Sequence, residues 1–309
     1  MATTYTEISS NKWRTVVVMT LFVAVVIGLG YVFGVALDLP WLLPLAIIIA
    51  IVQSFSSYWW SDKVALAISG AHEVDKQASP DLYRLVENLS IESGLPMPRV
   101  YIVDDPSPNA FATGRDPQHS AIAVTTGLLG KLDKPELEGV LSHEMSHIGN
   151  YDILLSSVVV VLVGFVVLLS DFFLRYTFWF GGGGRRNNSG GGGEEGQVGA
   201  ILLLIGIVLA LLSPLFAMLI QLAISRRREL LADASGALLT RNPNELADAL
   251  EKITADPLSM RHINKATAHL WIASPLHDTQ GNTRNWFTGL FDTHPDPALR
   301  IARLRAMAQ

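Results

Sequence analysis

Four long apolar blocks constrain this chain more than any other feature. They run from Thr15 to Leu37, Leu39 to Trp60, Ile153 to Leu174 and Val198 to Ile224, and Asp171 interrupts the third. A helix needs roughly 20 apolar residues to cross the hydrocarbon core, and each block reaches that length. The blocks predict a multi-pass membrane protein. Apart from Asp171 they are nearly free of ionisable residues, which argues against a transporter or channel subunit.

The first block has a basic flank, Lys12 and Arg14, but it is too long for the apolar region of a signal peptide. A second block follows after the short Asp38–Pro40 turn, so the pair predicts an uncleaved helical hairpin. Trp41, Tyr58, Trp59 and Trp60 fall where interfacial aromatics belong. Lys12 and Arg14, then Lys63, then Arg226, Arg227 and Arg228 flank the blocks on one side. The positive-inside rule places the N-tail, residues 61–152 and the C-terminal third in the cytoplasm. Arg175, Arg185 and Arg186 in the loop between blocks three and four pull weakly the other way. That loop, with its glycine-rich stretch at 181–196, has the composition of a flexible linker.

Residues 61–152 read as α+β. Ser79-Pro80 opens a helix and Gly94 stops it. Arg99–Val103, Asn109–Thr113 and Ser120–Thr125 are strand candidates, the last two joined by a turn at 114–117. Lys134-Pro135-Glu136 starts another helix. Asn242-Pro243 and Asp296-Pro297 open two amphipathic helices after the fourth block. The fold expected is an α+β membrane protein: four transmembrane helices and a mostly helical catalytic domain with a small sheet. In chain order it comprises an N-tail (1–14), a hairpin (15–60), the first part of the domain (61–152), a second hairpin (153–224) and the rest of the domain (225–309).

Within the Lys134 helix, His143-Glu144-x-x-His147 forms HExxH. Positions i and i+4 share a helix face, so both imidazoles can point at one ion, and zinc accepts two such nitrogens in a tetrahedral shell. A carboxylate beside the first ligand can take a proton from a water that the metal has acidified. Each residue type answers a separate chemical need.

Such a site needs a third ligand. The metzincin pattern is excluded, because Asn150 stands at its glycine position and Ile153 at its last histidine. His72, His119, His262, His269, His277 and His294 carry no spacing signal. Glu229 is the better candidate, in SRRRELLADASGA (225–237), where Glu229 and Asp233 share a helix face. One carboxylate can bind metal while the other accepts a hydrogen bond from a ligand histidine. A solvated charged face after a membrane flank is the competing reading. The two motifs can meet only if the intervening hairpin returns the chain to the same side of the membrane. The absence of cysteine excludes thiolate ligands and disulfides, and a net charge of -5 gives no nucleic-acid signal.

HEMSHIGNYD, a hydrophobic hairpin, SRRRELLADASGA and THPDPALRIARL in that order resemble the HtpX-type membrane zinc endopeptidases, gluzincin-like relatives of the CAAX prenyl proteases. The resemblance covers nearly the whole chain. It implies one Zn2+ held by His143, His147 and Glu229, with Glu144 as general base and Asp233 orienting a ligand histidine. It further implies that His294 and Arg300 assist at the reacting carbonyl, where a donor or cation stabilises developing charge. PSPNAFATG (106–114) resembles the family's edge strand, so Asn109, Ala110, Phe111, Ala112 and Thr113 would bind an extended polypeptide through main-chain hydrogen bonds. The activity implied is cleavage of membrane or misfolded proteins at the cytoplasmic face of the inner membrane, in stress response and quality control. A zinc-containing scaffold without activity would not need Glu144, and a prenyl-protein protease would favour a chamber built from more spans.

Overall fold

A computed structural model describes residues 4–36, 38–181, 225–261, 266–273 and 295–308. Three helices among these are long and apolar enough to cross a membrane, over Glu7–Val35, Leu42–Ile68 and Asp152–Leu169. They belong to α1 (Thr4–Ala36), α2 (Leu42–Ile68) and α6 (Asp152–Gly181). The fourth expected span, and the glycine-rich loop beyond Gly181, lie outside the described residues.

Both helices of the first hairpin overrun their apolar blocks. α1 begins within the polar TEISSNK stretch and α2 continues past Trp60 to Ile68. Apolar composition marks what is immersed in lipid, not where a helix ends. The extra turns of α2 are held from outside the membrane: Asp62 pairs with Arg99 at 2.6 Å, and Ala65 and Leu66 are buried. Farther up α2, Ile48, Ile51, Val52 and Phe55 are each more than half exposed. A patch of that kind is unusual on a water-soluble surface and ordinary on a lipid-facing one.

A four-stranded sheet separates the membrane helices from a helical layer. Its strands are β1 (Ala71–Glu73), β2 (Arg99–Val103), β3 (Ala110–Gly114) and β4 (Ser120–Thr125), in the order β1-β2-β4-β3. β2 and β4 are parallel; β1 and β3 join them antiparallel. Side chains alternate across the pleat. Tyr101, Val103, Phe111, Ala121 and Ala123 enter the core shared with α1, α2 and α6. Val100, Ala110, Ala112, Ile122 and Val124 enter the second core. The three strands expected from sequence are present, the second shifted one residue towards its C-terminus. β1 has only three residues, too few to show alternation.

The second core is closed by α3 (Pro80–Ser93), α5 (Lys134–Gly149), α7 (Arg226–Thr240), α8 (Pro243–Thr254) and α9 (Pro297–Met307), with the short α4 (Thr126–Lys131) at its edge. α5 is central. Asp133 and Glu136 form a capping box at its start, satisfying two of the amide groups a helix N-terminus leaves open. Leu137, Val140, Leu141, Met145 and Ile148 are buried along it, each worth about 1.5–3 kcal/mol if fully transferred from water. Only Asn150 and Tyr151 separate α5 from α6, so the HExxH helix runs almost directly into a span.

Candidate metal centre

His143 and His147 project from one face of α5, with their Nε2 atoms 3.1 Å apart. Glu229, in the first turn of α7, completes a triangle: Oε2 lies 3.7 Å from His143 Nε2 and Oε1 lies 3.6 Å from His147 Nε2. Zinc–ligand bonds of about 2.0–2.2 Å in a tetrahedral shell place neighbouring donors roughly 3.3–3.6 Å apart. The observed separations of 3.1–3.7 Å straddle that range, so one donor atom from each of the three residues could hold a single divalent ion. A cavity of about 40 Å³ lies among them, lined also by Ala112, Glu144, Asp152 and His269.

α7 can approach α5 this closely because of Gly236. A Cβ there would lie 2.9 Å from the backbone nitrogen of His143 and 3.1 Å from its Cα. Gly139 plays the same part between α5 and α8, where a Cβ would lie 2.8 Å from the Leu246 nitrogen. Together they let the HExxH helix sit between two neighbours at backbone distance.

Both histidines have a carboxylate behind them. His147 Nδ1 is 2.9 Å from Asp152 Oδ2 and hydrogen-bonds to it. His143 Nδ1 is 2.9 Å from Asp233 Oδ1, at hydrogen-bonding distance though not at hydrogen-bonding angle. Asp233 is in turn gripped by Arg300, with Nε to Oδ2 at 2.9 Å and Nη2 to Oδ1 at 2.7 Å. Burial alone would raise the Asp233 carboxyl, but the Arg300 guanidinium overrides it and brings it down to about 2. At His147 burial opposes the charge, yet Glu229 and then Asp152 raise the imidazole to about 9 in the metal-free chain. A bound cation would displace that proton.

Glu144 is buried and shares the cavity lining with Ala112 of β3. Burial raises its carboxyl, against the lowering pull of His143 and His147. A carboxyl raised in this way is a better proton carrier near neutral pH.

β3 does lie at the edge of the sheet. Its outer side is met by residues 269–273, a segment with no sequence signal. The Ile272 N–H donates to the Ala110 carbonyl at 2.9 Å. Asn109 bonds the Ala273 backbone in both directions, at 2.9 and 3.2 Å. Trp271 stands edge-on to Phe111 with centroids 4.6 Å apart.

The resemblance places Arg300 beside a reacting carbonyl. Its three nitrogens are directed at Asp233 and, from Nη1 at 3.2 Å, at the Ile272 carbonyl. His294 lies outside the described residues, as do His262 and His277. His119 pairs with Asp116 and His72 sits on β1, both away from the triangle. The sequence reading missed Asp152, although it ends the quoted HEMSHIGNYD stretch. It follows Tyr151, whose φ of 59° makes a left-handed break between α5 and α6. No periodicity reports such a turn.

The chain was compared with known proteins. The chain is 44% identical over 303 residues to a protein named Protease HtpX homolog from Tropheryma whipplei (strain Twist), covering 98% of each chain. It is 42% identical over 308 residues to the one from Ligilactobacillus salivarius (strain UCC118), covering 98% of this chain and 99% of that one. The crystal structure of S. mikatae Ste24p is similar at a TM-score of 0.49 with 18% identity, over 94% of this chain and 66% of that one. Residues 76–308 match peptidase family M48, and the chain belongs to that family of membrane metalloproteases.

Proposed function

We propose that this protein is a zinc-dependent endopeptidase that cuts membrane or misfolded proteins at the cytoplasmic face of the membrane. The observation that carries the reading is the triangle of His143, His147 and Glu229 with Glu144 beside it, facing an edge strand. Three protein ligands leave a tetrahedral ion one open position, as catalytic rather than structural zinc requires. Zinc bound there supplies Lewis acidity towards a scissile carbonyl and makes water acidic enough to attack near neutral pH.

The remaining work falls to the chain. Glu144 takes a proton from the attacking water and passes it to the leaving amide nitrogen. A substrate strand lies along the outer edge of β3, over Asn109–Thr113, and is read through its backbone, which tolerates varied sequence. For this the 272–273 contacts with Asn109 and Ala110 must give way. Asp233 fixes the ring of His143, and Arg300 acts through Asp233 by neutralising its buried charge. His294 keeps the role its family match suggests, as a donor to the developing oxyanion. The basic flanks at Lys12, Arg14, Lys63 and Arg226–Arg228 support the cytoplasmic placement, with a membrane hairpin followed by a protease domain in two parts around a second hairpin.

The test uses purified full-length protein in detergent or nanodiscs. Zinc analysis should give one ion per chain. Cleavage of an unfolded test substrate should stop with a chelator and return with added zinc. Cleavage that persists in the metal-stripped chain would refute the proposal.

A further inference from the structure

The carboxylate behind His147 leads out of the active site and into the first membrane helix. Asp152 uses Oδ2 for His147. Its Oδ1 accepts from Asn11 Nδ2 at 2.6 Å and lies 3.6 Å from Arg228 Nε. Asn11 belongs to α1 and is 0% exposed. Its second amide hydrogen goes to the Asn150 carbonyl at 3.0 Å, where α5 ends, and its Oδ1 accepts from Arg228 Nη1 at 2.8 Å.

These partners settle the orientation of the amide. A carboxylate and a carbonyl require donors, and a guanidinium requires an acceptor. The amide is thus used on all three sides. Arg228 directly precedes Glu229. One side chain from α1 therefore braces both halves of the metal centre: the end of the HExxH helix with Asp152, and the first turn of the helix that carries Glu229. An apolar residue would pack α1 here without desolvating an amide. A buried amide is tolerated when it is fully paired, and here its pairing is directed wholly at groups behind metal ligands.

We propose that Asn11 is a positioning residue of the metal centre, acting through Asp152 on His147 and through Arg228 on the helix bearing Glu229. The first membrane helix is then part of the catalytic apparatus and not only its anchor. This rests on the metal-site reading above. Outer partners of ligand histidines fix tautomer and ring orientation, and their loss typically costs about 10–100-fold in metal affinity.

The experiment measures zinc affinity of the full-length chain in nanodiscs by chelator competition. The variants are Asn11→Leu, Asp152→Ala and the double substitution. Trp13→Ala is the control, on the same helix and 68% exposed. Asp152→Ala should weaken binding by about 10–100-fold and Asn11→Leu, one bond further out, by about 5–10-fold. The double variant should be weaker by clearly less than the product of the two, because the residues act in series. Trp13→Ala should bind as the wild type does. Should Asn11→Leu not fold, Asn11→Ser keeps a small polar group there and should show a loss of about 2–5-fold. Unchanged affinity in the Asn11 variant, or losses that simply multiply, would overturn the proposal and leave the metal site intact. A wild-type chain that takes up no zinc would instead remove the underlying reading, and this one with it.

Discussion

Ala112 of the edge strand and Glu144 of the HExxH helix line the same small cavity. The edge strand and the glutamate of the motif thus face one another across the candidate site. Glu144→Gln keeps the shape and an acceptor oxygen but cannot carry the proton. It should retain zinc at one per chain and lose about 10²–10⁴-fold in kcat. Metal analysis beside steady-state kinetics checks both halves, and wild-type turnover would remove Glu144 from the chemistry.

Glu229 brings a third possible donor from a different helix. Glu229→Ala should weaken zinc binding by more than about 100-fold, beyond the usual cost of losing an outer partner. Full occupancy at limiting zinc would show that the carboxylate is not a ligand.

Asp233 and Arg300 form a two-pronged, almost fully buried ion pair. Removing one member strands the other's charge, at a cost of about 3–5 kcal/mol. Arg300→Leu should therefore lower the stability of the apo chain by that amount, and Arg300→Lys should not restore it, since an ammonium lacks the planar fork. Asp233→Asn should reduce zinc affinity or activity by about 10–100-fold. Denaturation curves and chelator competition give the two readings. Arg300→Leu with wild-type stability would mean that the pair contributes nothing net.

Gly236 admits no side chain without a shift of backbone. Gly236→Ala should destabilise by about 1–3 kcal/mol and, by pushing α7 off α5, also weaken zinc binding. The second effect separates it from an ordinary packing defect. Unchanged affinity in a folded variant would show that α7 can slide without moving Glu229.

The segment at 269–273 covers the edge of β3. Ile272→Pro removes the N–H that the Ala110 carbonyl accepts, and Trp271→Ala removes the ring against Phe111. Either change should lower KM for extended peptides severalfold with less effect on kcat. A raised KM in both would indicate that the segment helps to bind substrate.

The chemistry was more legible in the sequence than its support. His143, Glu144 and His147 are readable because the helical period forces i and i+4 onto one face. Glu229 needs the context of the flanking hairpin, since its own spacing fits a solvated face equally well. The strands at Arg99 and Ser120 are readable from apolar runs bounded by turns. Residues 269–273 have no period to read and are ordered by contacts with Asn109, Phe111 and Arg300. Asp152 depends on a left-handed turn at Tyr151. Asn11 looks like a polar residue ahead of a span, and its partners at Asp152 and Arg228 are remote in the chain. Local pattern reports helix faces and strand alternation; it does not report where distant elements meet.

α9 is the last described helix in chain order, and it carries the arginine that neutralises Asp233. A ribosome making this protein releases the HExxH helix long before that counter-charge exists. Until translation has passed residue 300, the carboxylate beside His143 lacks its guanidinium partner, so Asp233 can be buried at neutral cost only when α9 docks, and this corner of the fold closes last.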